Sequence, residues 1–338
     1  MRHTVLTGAL VWTLSLFAVL FLYSSGSANA AAVQSAASTL KASTVLPSDI
    51  EVSALAIPIP DAQTVIEVLM DGEVHRMPLD EYLTCVVAGE MPGSFPAEAL
   101  RAQAIAARTM AYYRIAQREA GKGNHENADV CANPSHCSAC LELTDTQSTV
   151  FAEAVSSTDG LCALWDGEPI VAAFHAVSGG RTESSADIWG GELPYLVSVD
   201  SPGEEEAPRY RQSFTFSHAE FVSRIHSLDR DADLTGDTAG WFKNSTRTGS
   251  GTILSVYVGG VPFTGSSLRT LFGLTSADFT VSTDENTVTF TCTGYGHGVG
   301  MSQYGARAMA LKGHEAADII AWYYPGTTVG YYAPGTGT

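Results

Sequence analysis

Leu79-Asp80-Glu81-Tyr82-Leu83-Thr84-Cys85-Val86-Val87-Ala88-Gly89-Glu90-Met91-Pro92 reads as one amphipathic helical segment that ends on an acid. Asp80 is a plausible N-cap, and Glu81 suits the first turn. Leu83, Val86, Val87 and Glu90 recur at helical spacing and so share a face. Pro92 stops the helix, because proline disfavours a helical residue before it. Glu90 therefore sits on an apolar face at the negative end of a helix. Burial and the helix end both disfavour its ionised form, which suits a general acid near neutral pH. The plainer alternative is a terminal Glu that reaches solvent.

Upstream, Thr64–Met70 alternates like a strand, Asp71-Gly72 turns, and Glu73–Met77 returns, which predicts a hairpin. Downstream, Pro96 suits the first turn of a second helix. This helix runs to about Glu119, is rich in alanine, and stops at Gly121. Beyond Thr149 short strands alternate with turns. Helices are expected near His218–Leu228, Ser302–Lys312 and Ala316–Tyr323, and strands near Thr252–Val261 and Thr287–Thr293. The pattern predicts an α+β fold, with mixed sheet and helices forming two lobes around a cleft.

The chain has 338 residues and a net charge of −18. Residues 1–60 hold only Arg2, Lys41, Asp49 and Glu51, so the excess acid lies beyond them. This balance argues against a nucleic-acid partner, since such binding is driven by Lys and Arg. Residues 5–23 carry no charge and are long enough for a transmembrane anchor. Ala28-Asn29-Ala30 offers a signal cleavage site instead. Either reading places the remainder outside the cytoplasm, on the extracytoplasmic face of the membrane or secreted. The expected organisation is an anchor or signal helix at 1–23, an Ala/Ser/Thr-rich tether at 24–60, a folded region at 61–330 and a disordered tail at 331–338. The two lobes would be 61–150 with the C-terminal part, and 151–290.

Six cysteines are present: Cys85, Cys131, Cys137, Cys140, Cys162 and Cys292. His125, Cys131, Cys137 and Cys140, with His136 beside Cys137, offer soft donors suited to zinc. A Cys131–Cys137 or Cys137–Cys140 disulfide, or free buried thiols, fits the spacing as well. Cys85, Cys162 and Cys292 read as core.

Three runs resemble the stage II sporulation protein D family. They are Pro78–Leu83 with Val86–Pro92, Ala99–Thr109, and Gly294-Tyr295-Gly296-His297-Gly298-Val299-Gly300-Met301-Ser302-Gln303-Tyr304-Gly305-Ala306 with the closing Tyr323-Tyr324-Pro325-Gly326. The resemblance implies a membrane-anchored lytic transglycosylase that cuts peptide-stripped peptidoglycan strands during sporulation. It places the catalytic acid on Glu90. It implies zinc on His125, Cys131 and Cys137, with Glu90 or Cys140 in the fourth position. It further implies a peptidoglycan amidase as partner. Relatives described as amidase enhancers keep a non-catalytic wall-binding role open, and a zinc amidase is a third reading.

Candidate substrate contacts follow. Gln103 and Arg108 lie on the second helix, about 140° apart around its axis. His175, Ser178 and Thr182 form a small-residue rim after a strand. His297, Gln303 and Tyr304 belong to the glycine-bracketed loop and the helix after it. Asp187-Ile188-Trp189 and Tyr195 offer aromatic surface, while Glu204-Glu205-Glu206 reads as a solvated loop.

Overall fold

The computed structural model describes residues 59–141 and 143–332, with the side chains of 145–147 left aside. The expected anchor or signal helix and nearly all of the tether lie outside these residues. Among the described residues no helix is long and apolar enough to cross a membrane.

The chain opens with strands β1 (Val65–Met70) and β2 (Glu73–Pro78), then helices α1 (Leu79–Glu90) and α2 (Ala97–Glu119). Strand β3 (Val130–Cys131), helix α3 (Asp145–Ser156), strands β4 (Leu161–Trp165), β5 (Glu168–Pro169) and β6 (Phe174–His175), and helix α4 (Ser185–Trp189) follow. Next come β7 (Arg211–Ser217), α5 (His218–Leu228), β8 (Phe242–Arg247), β9 (Ile253–Val258), β10 (Val261–Phe263), α6 (Gly265–Phe272), β11 (Phe279–Thr283) and β12 (Thr287–Thr293). The chain closes with β13 (Met301–Ser302), α7 (Gln303–Leu311), α8 (Ala316–Tyr323) and β14 (Thr328–Tyr331). The fold is α+β, built from small sheets and eight helices among the described residues.

The hairpin forms as its turn chemistry requires. Met70 pairs with Glu73, and Asp71 and Gly72 carry φ of 50° and 86°, the left-handed pair of a two-residue loop. α1 begins two residues earlier than its expected cap: Pro78 stands at the N-cap, and Asp80 Oδ1 accepts the adjacent Glu81 N–H at 2.9 Å. Pro96 likewise precedes α2, at φ −54° and ψ 144°, because its extended ψ lies outside the helical range.

Two hydrophobic cores result. The first gathers Leu83, Val86 and Val87 of α1, the alanine face of α2, Cys162–Leu164, Tyr195 and Leu196, and Val299–Tyr324. The second is made by Phe216–Cys292, with the Phe221 ring in contact with those of Trp241, Phe272 and Phe290. The boundary expected at residue 151 therefore moves: residues 161–196 bury their apolar side chains with the first core. The expected disordered tail is also shorter, since Tyr331 pairs with Leu161 and Tyr332 packs edge-on against Tyr112 at 5.4 Å. Residues 333–338 lie outside the described chain.

Short parallel pairing links the ends of the first core. β13 runs beside β6, with Met301 opposite Phe174 and Ser302 opposite His175. This pairing fixes where α7 begins, and so where Gln303 points its amide.

Candidate active site

Glu90 is the last residue of α1 and is half-buried. Its Oε1 accepts the Ala139 backbone N–H at 2.8 Å, and its Oε2 accepts Gln303 Nε2–H at 3.0 Å. Burial raises its pKa, and the two donors pull only partly the other way. No second carboxylate is among the groups that shift it.

The Ala139 contact depends on a close approach. A Cβ placed on Gly89 would stand 2.9 Å from the Ala139 carbonyl carbon, so only glycine lets this loop lie on α1. The loop is strapped there by a Cys85–Cys140 disulfide and by Leu141 N–H donating to Cys85 O at 3.0 Å. Cys85 is thus not an isolated core thiol, and Cys140 is withdrawn from any metal. Cys162 and Cys292 are buried free thiols, as expected.

Two residues before Ala139 lies a cluster of donors. His125 Nε2 is 3.3 Å from Cys137 Sγ, while His136 Nδ1 is 3.4 Å from Cys137 Sγ and 3.5 Å from Cys131 Sγ. All four donor atoms lie within 4.8 Å of one another. A tetrahedral ion with bonds of about 2.0–2.3 Å needs donor separations of about 3.3–3.8 Å, so the set fits a metal ion. Burial, with His136 and Arg114, lowers the His125 pKa, the direction that favours the neutral ring a ligand needs. The fourth donor is His136. Neither Cys140 nor Glu90 takes that place, the first because it is oxidised and the second because both its oxygens are engaged elsewhere. A turn built on Asn133-Pro134 aims His136, with His136 and Cys137 N–H groups both donating to Asn133 O at 2.9 Å.

The other expected contacts divide. Gln303 touches Glu90, and Tyr304 follows it, its ring edge-on to Phe95 at 5.1 Å. Arg108 does not face a substrate: its guanidinium is fully buried and donates to Asp61 Oδ2 at 2.7 Å, Thr158 Oγ1, Leu161 O and Val155 O. Gln103 is also enclosed, with no exposed surface for a ligand. Thr182 is buried and exchanges hydrogen bonds with Val199. Ser178 donates to Glu204 Oε2 at 2.9 Å, and Ser201 donates to Oε1 of the same carboxylate. Glu204 is accordingly a buried tie between loops rather than part of a solvated acidic run. His175 is buried with Nδ1–H on Val299 O at 3.2 Å, and burial drives its pKa to about 3. His297 keeps a half-exposed position between His175 and Trp189, at 5.7 and 5.6 Å ring to ring. Trp189 is exposed, so it is not a core tryptophan, whereas Tyr195 is buried.

These elements define an α+β protein in which Glu90, a half-buried carboxyl with a raised pKa, accepts a hydrogen bond from the loop that carries a thiol–imidazole cluster. A family model for the stage II sporulation protein matches residues 71–165. Stage II sporulation protein D of Bacillus subtilis (strain 168) is 36% identical over 268 residues, covering 76% of this chain and 75% of that protein. The protein of the same name from Bacillus amyloliquefaciens is 35% identical over 265 residues, 76% of this chain and 75% of that one. An amidase enhancer of Bacillus subtilis (strain 168) is 27% identical over 298 residues, 73% of this chain and 40% of that protein. The chain belongs to the stage II sporulation protein D family.

Proposed function

We propose that this protein is an exported peptidoglycan lytic transglycosylase that cuts peptide-stripped glycan strands in sporulation or wall remodelling. The observation that carries the reading is Glu90: one half-buried carboxyl with a raised pKa, positioned by two donors from separate elements. The relatives support a cell-wall role more broadly.

Two-carboxylate glycosidases divide acid and base between two groups. A lytic transglycosylase uses one group twice. Protonated Glu90 gives its proton to the oxygen between N-acetylmuramic acid and N-acetylglucosamine, and the C1–O bond breaks. The Glu90 carboxylate then takes the proton from the muramic C6 hydroxyl, whose oxygen bonds to C1. The product is a 1,6-anhydro end, water is not consumed, and Glu90 regains its starting proton. Ala139 N–H and Gln303 stabilise the carboxylate between the two transfers. His297, Tyr304 and the exposed Trp189 are the side chains proposed to contact the strand. Liquid chromatography with mass spectrometry of peptide-free strands digested by the full chain tests this: anhydro-muramic ends are expected.

Zinc is the ion proposed for His125, Cys131, His136 and Cys137, because two thiolates and two imidazoles match its preferred set. Bound there, the ion would cross-link this segment rather than serve as a reactive centre, since four protein donors would leave no open position. This also counts against the zinc amidase reading. Chelation is expected to lower the melting temperature and to release Cys131 and Cys137 to thiol reagents, as read by calorimetry and thiol titration.

A disulfide beside the site supports an oxidising, extracytoplasmic location. Membrane attachment through residues 5–23 and supply of naked strands by a peptidoglycan amidase complete the proposal. The non-catalytic alternative, suggested by the amidase enhancer relative, predicts no anhydro product from wild type.

Gln303 tunes the acid in a defined direction. Its N–H favours the ionised carboxylate and so lowers the Glu90 pKa. Gln303→Leu should therefore raise that pKa further and move the alkaline limb of the pH–rate profile to higher pH. An unmoved limb would assign the titration to another group.

A further inference from the structure

Away from Glu90, a cavity of about 310 Å³ is bounded by the loop after β6, by β9 and α6 of the second core, and by the glycine-bracketed loop before β13. Its size is at the lower end of small-ligand sites, enough for one sugar residue or a short peptide end. Its wall carries several charged groups, and most of these are already answered. Arg181 is paired with Asp200 at 2.7 Å. Asp278 faces Arg247 at 3.3 Å. Glu183 is buried; its Oε1 accepts the Thr248 hydroxyl at 2.9 Å, while its Oε2 has no hydrogen-bond partner. Asp187 accepts from Ser184 at 2.7 Å in the first turn of α4.

Arg269 differs from these. It projects from α6 between Leu268, which is fully buried, and Thr270. Its Nε–H reaches only Leu274 O, at 3.4 Å. Among the described residues no carboxylate lies within 4.0 Å of its guanidinium. The neighbouring imidazole does not compete for an anion. His297 Nδ1 accepts the Val299 N–H at 3.0 Å, which fixes the neutral tautomer. A half-buried cation without a counter-ion is costly, and a guanidinium is shaped for two parallel bonds to a carboxylate.

We propose that Arg269 is the anchor of a carboxylate-binding subsite in this cavity. Two sources of that chemistry are compatible with its size: the lactyl carboxylate of a muramic acid residue from which the peptide has been removed, and the C-terminal carboxylate of a short wall peptide. The choice of these probes rests on the wall-glycan reading above. In the first case the subsite would select strands already stripped of peptide, because amide formation removes the charge that Arg269 holds.

The test uses the purified full chain carrying Glu90→Gln, so that binding is read without turnover. Titration calorimetry compares a muramic-acid tetrasaccharide with a free lactyl carboxylate, the same sugar as its methylamide, and a free D-alanine-ended tripeptide. The free acid is expected to bind about ten- to a hundredfold more tightly than the amide. Adding Arg269→Gln should erase that ratio, and Arg269→Lys should keep part of it, with melting curves verifying that each variant is folded. If the tripeptide rather than the sugar shows the Arg269-dependent gain, the subsite stands with a peptide as its ligand. An acid-to-amide ratio near one in the Arg269 protein, or an undiminished ratio in a folded Arg269→Gln protein, overturns the proposal. Should Arg269→Gln fail to fold, an undiminished ratio in Arg269→Lys does the same. Absence of anhydro products from the protein with Glu90 intact would remove the transglycosylase reading and leave an Arg269-dependent ratio untouched.

Discussion

Glu90→Gln is expected to abolish release of anhydro-muramic ends while leaving the protein folded. Loss of a general acid or base costs about 10²–10⁴-fold, and here one group serves both proton transfers, so the upper end applies. The substitution keeps shape. The introduced amide can still accept the Ala139 N–H through its carbonyl, and Gln303 can turn its own amide to present oxygen to the new NH₂. Stability should respond in the opposite sense to activity. The folded-state pKa of Glu90 is raised, so its contribution is fully present below the unfolded pKa and is lost as pH rises through the folded value. Glutamine does not titrate. The variant should therefore gain stability over wild type as pH rises and show no such gain in acid. Melting curves at acidic and alkaline pH check this. A variant destabilised at every pH would mean that Glu90 is mainly a structural tie.

Arg108→Met should remove much of the protein's stability margin. Arg108 is fully enclosed and joins Asp61, Thr158 and the backbone of Val155 and Leu161, holding the first residues of the domain and the end of α3 to α2. Removing the cation strands Asp61 in the interior. Breaking one side of such a pair costs about 3–5 kcal/mol. Asp61→Asn together with Arg108→Met should recover a large part of the loss, because no uncompensated charge is left. Denaturant titrations of the two variants measure both numbers. A substrate-binding arginine would behave differently, with full stability and an altered KM.

The contrast between Glu90 and Arg108 shows what the sequence could express. Local rules placed the hairpin, α1, α2, α5 and α8, because turn chemistry and helical periodicity are written in adjacent residues. Glu90 was legible for the same reason: an acid on an apolar face at a helix end is a local contradiction. The partners of Glu90 are not local. Gln303 is brought in by pairing of β13 with β6, and Ala139 by a loop that packs only because residue 89 lacks a side chain. His136 was adjacent to an expected ligand, and only the turn at Asn133 aims it into the cluster. Arg108, Gln103, Ser178 and Thr182 had polar chemistry suited to a sugar, and the core claimed them. For Arg108 and Thr182 that fact is set by neighbours as far as 53 and 68 positions away. Cys85–Cys140 closes a separation of 55 residues, which spacing alone does not pair.

The most direct measurement is digestion of peptide-free glycan strands by the full chain in ¹⁸O-water, with products read by mass spectrometry. Muramic ends one water lighter than a reducing sugar, and free of heavy oxygen, are expected, because the C6 hydroxyl of the substrate is the nucleophile. Reducing ends that carry ¹⁸O, or strands left intact, would contradict the transglycosylase reading.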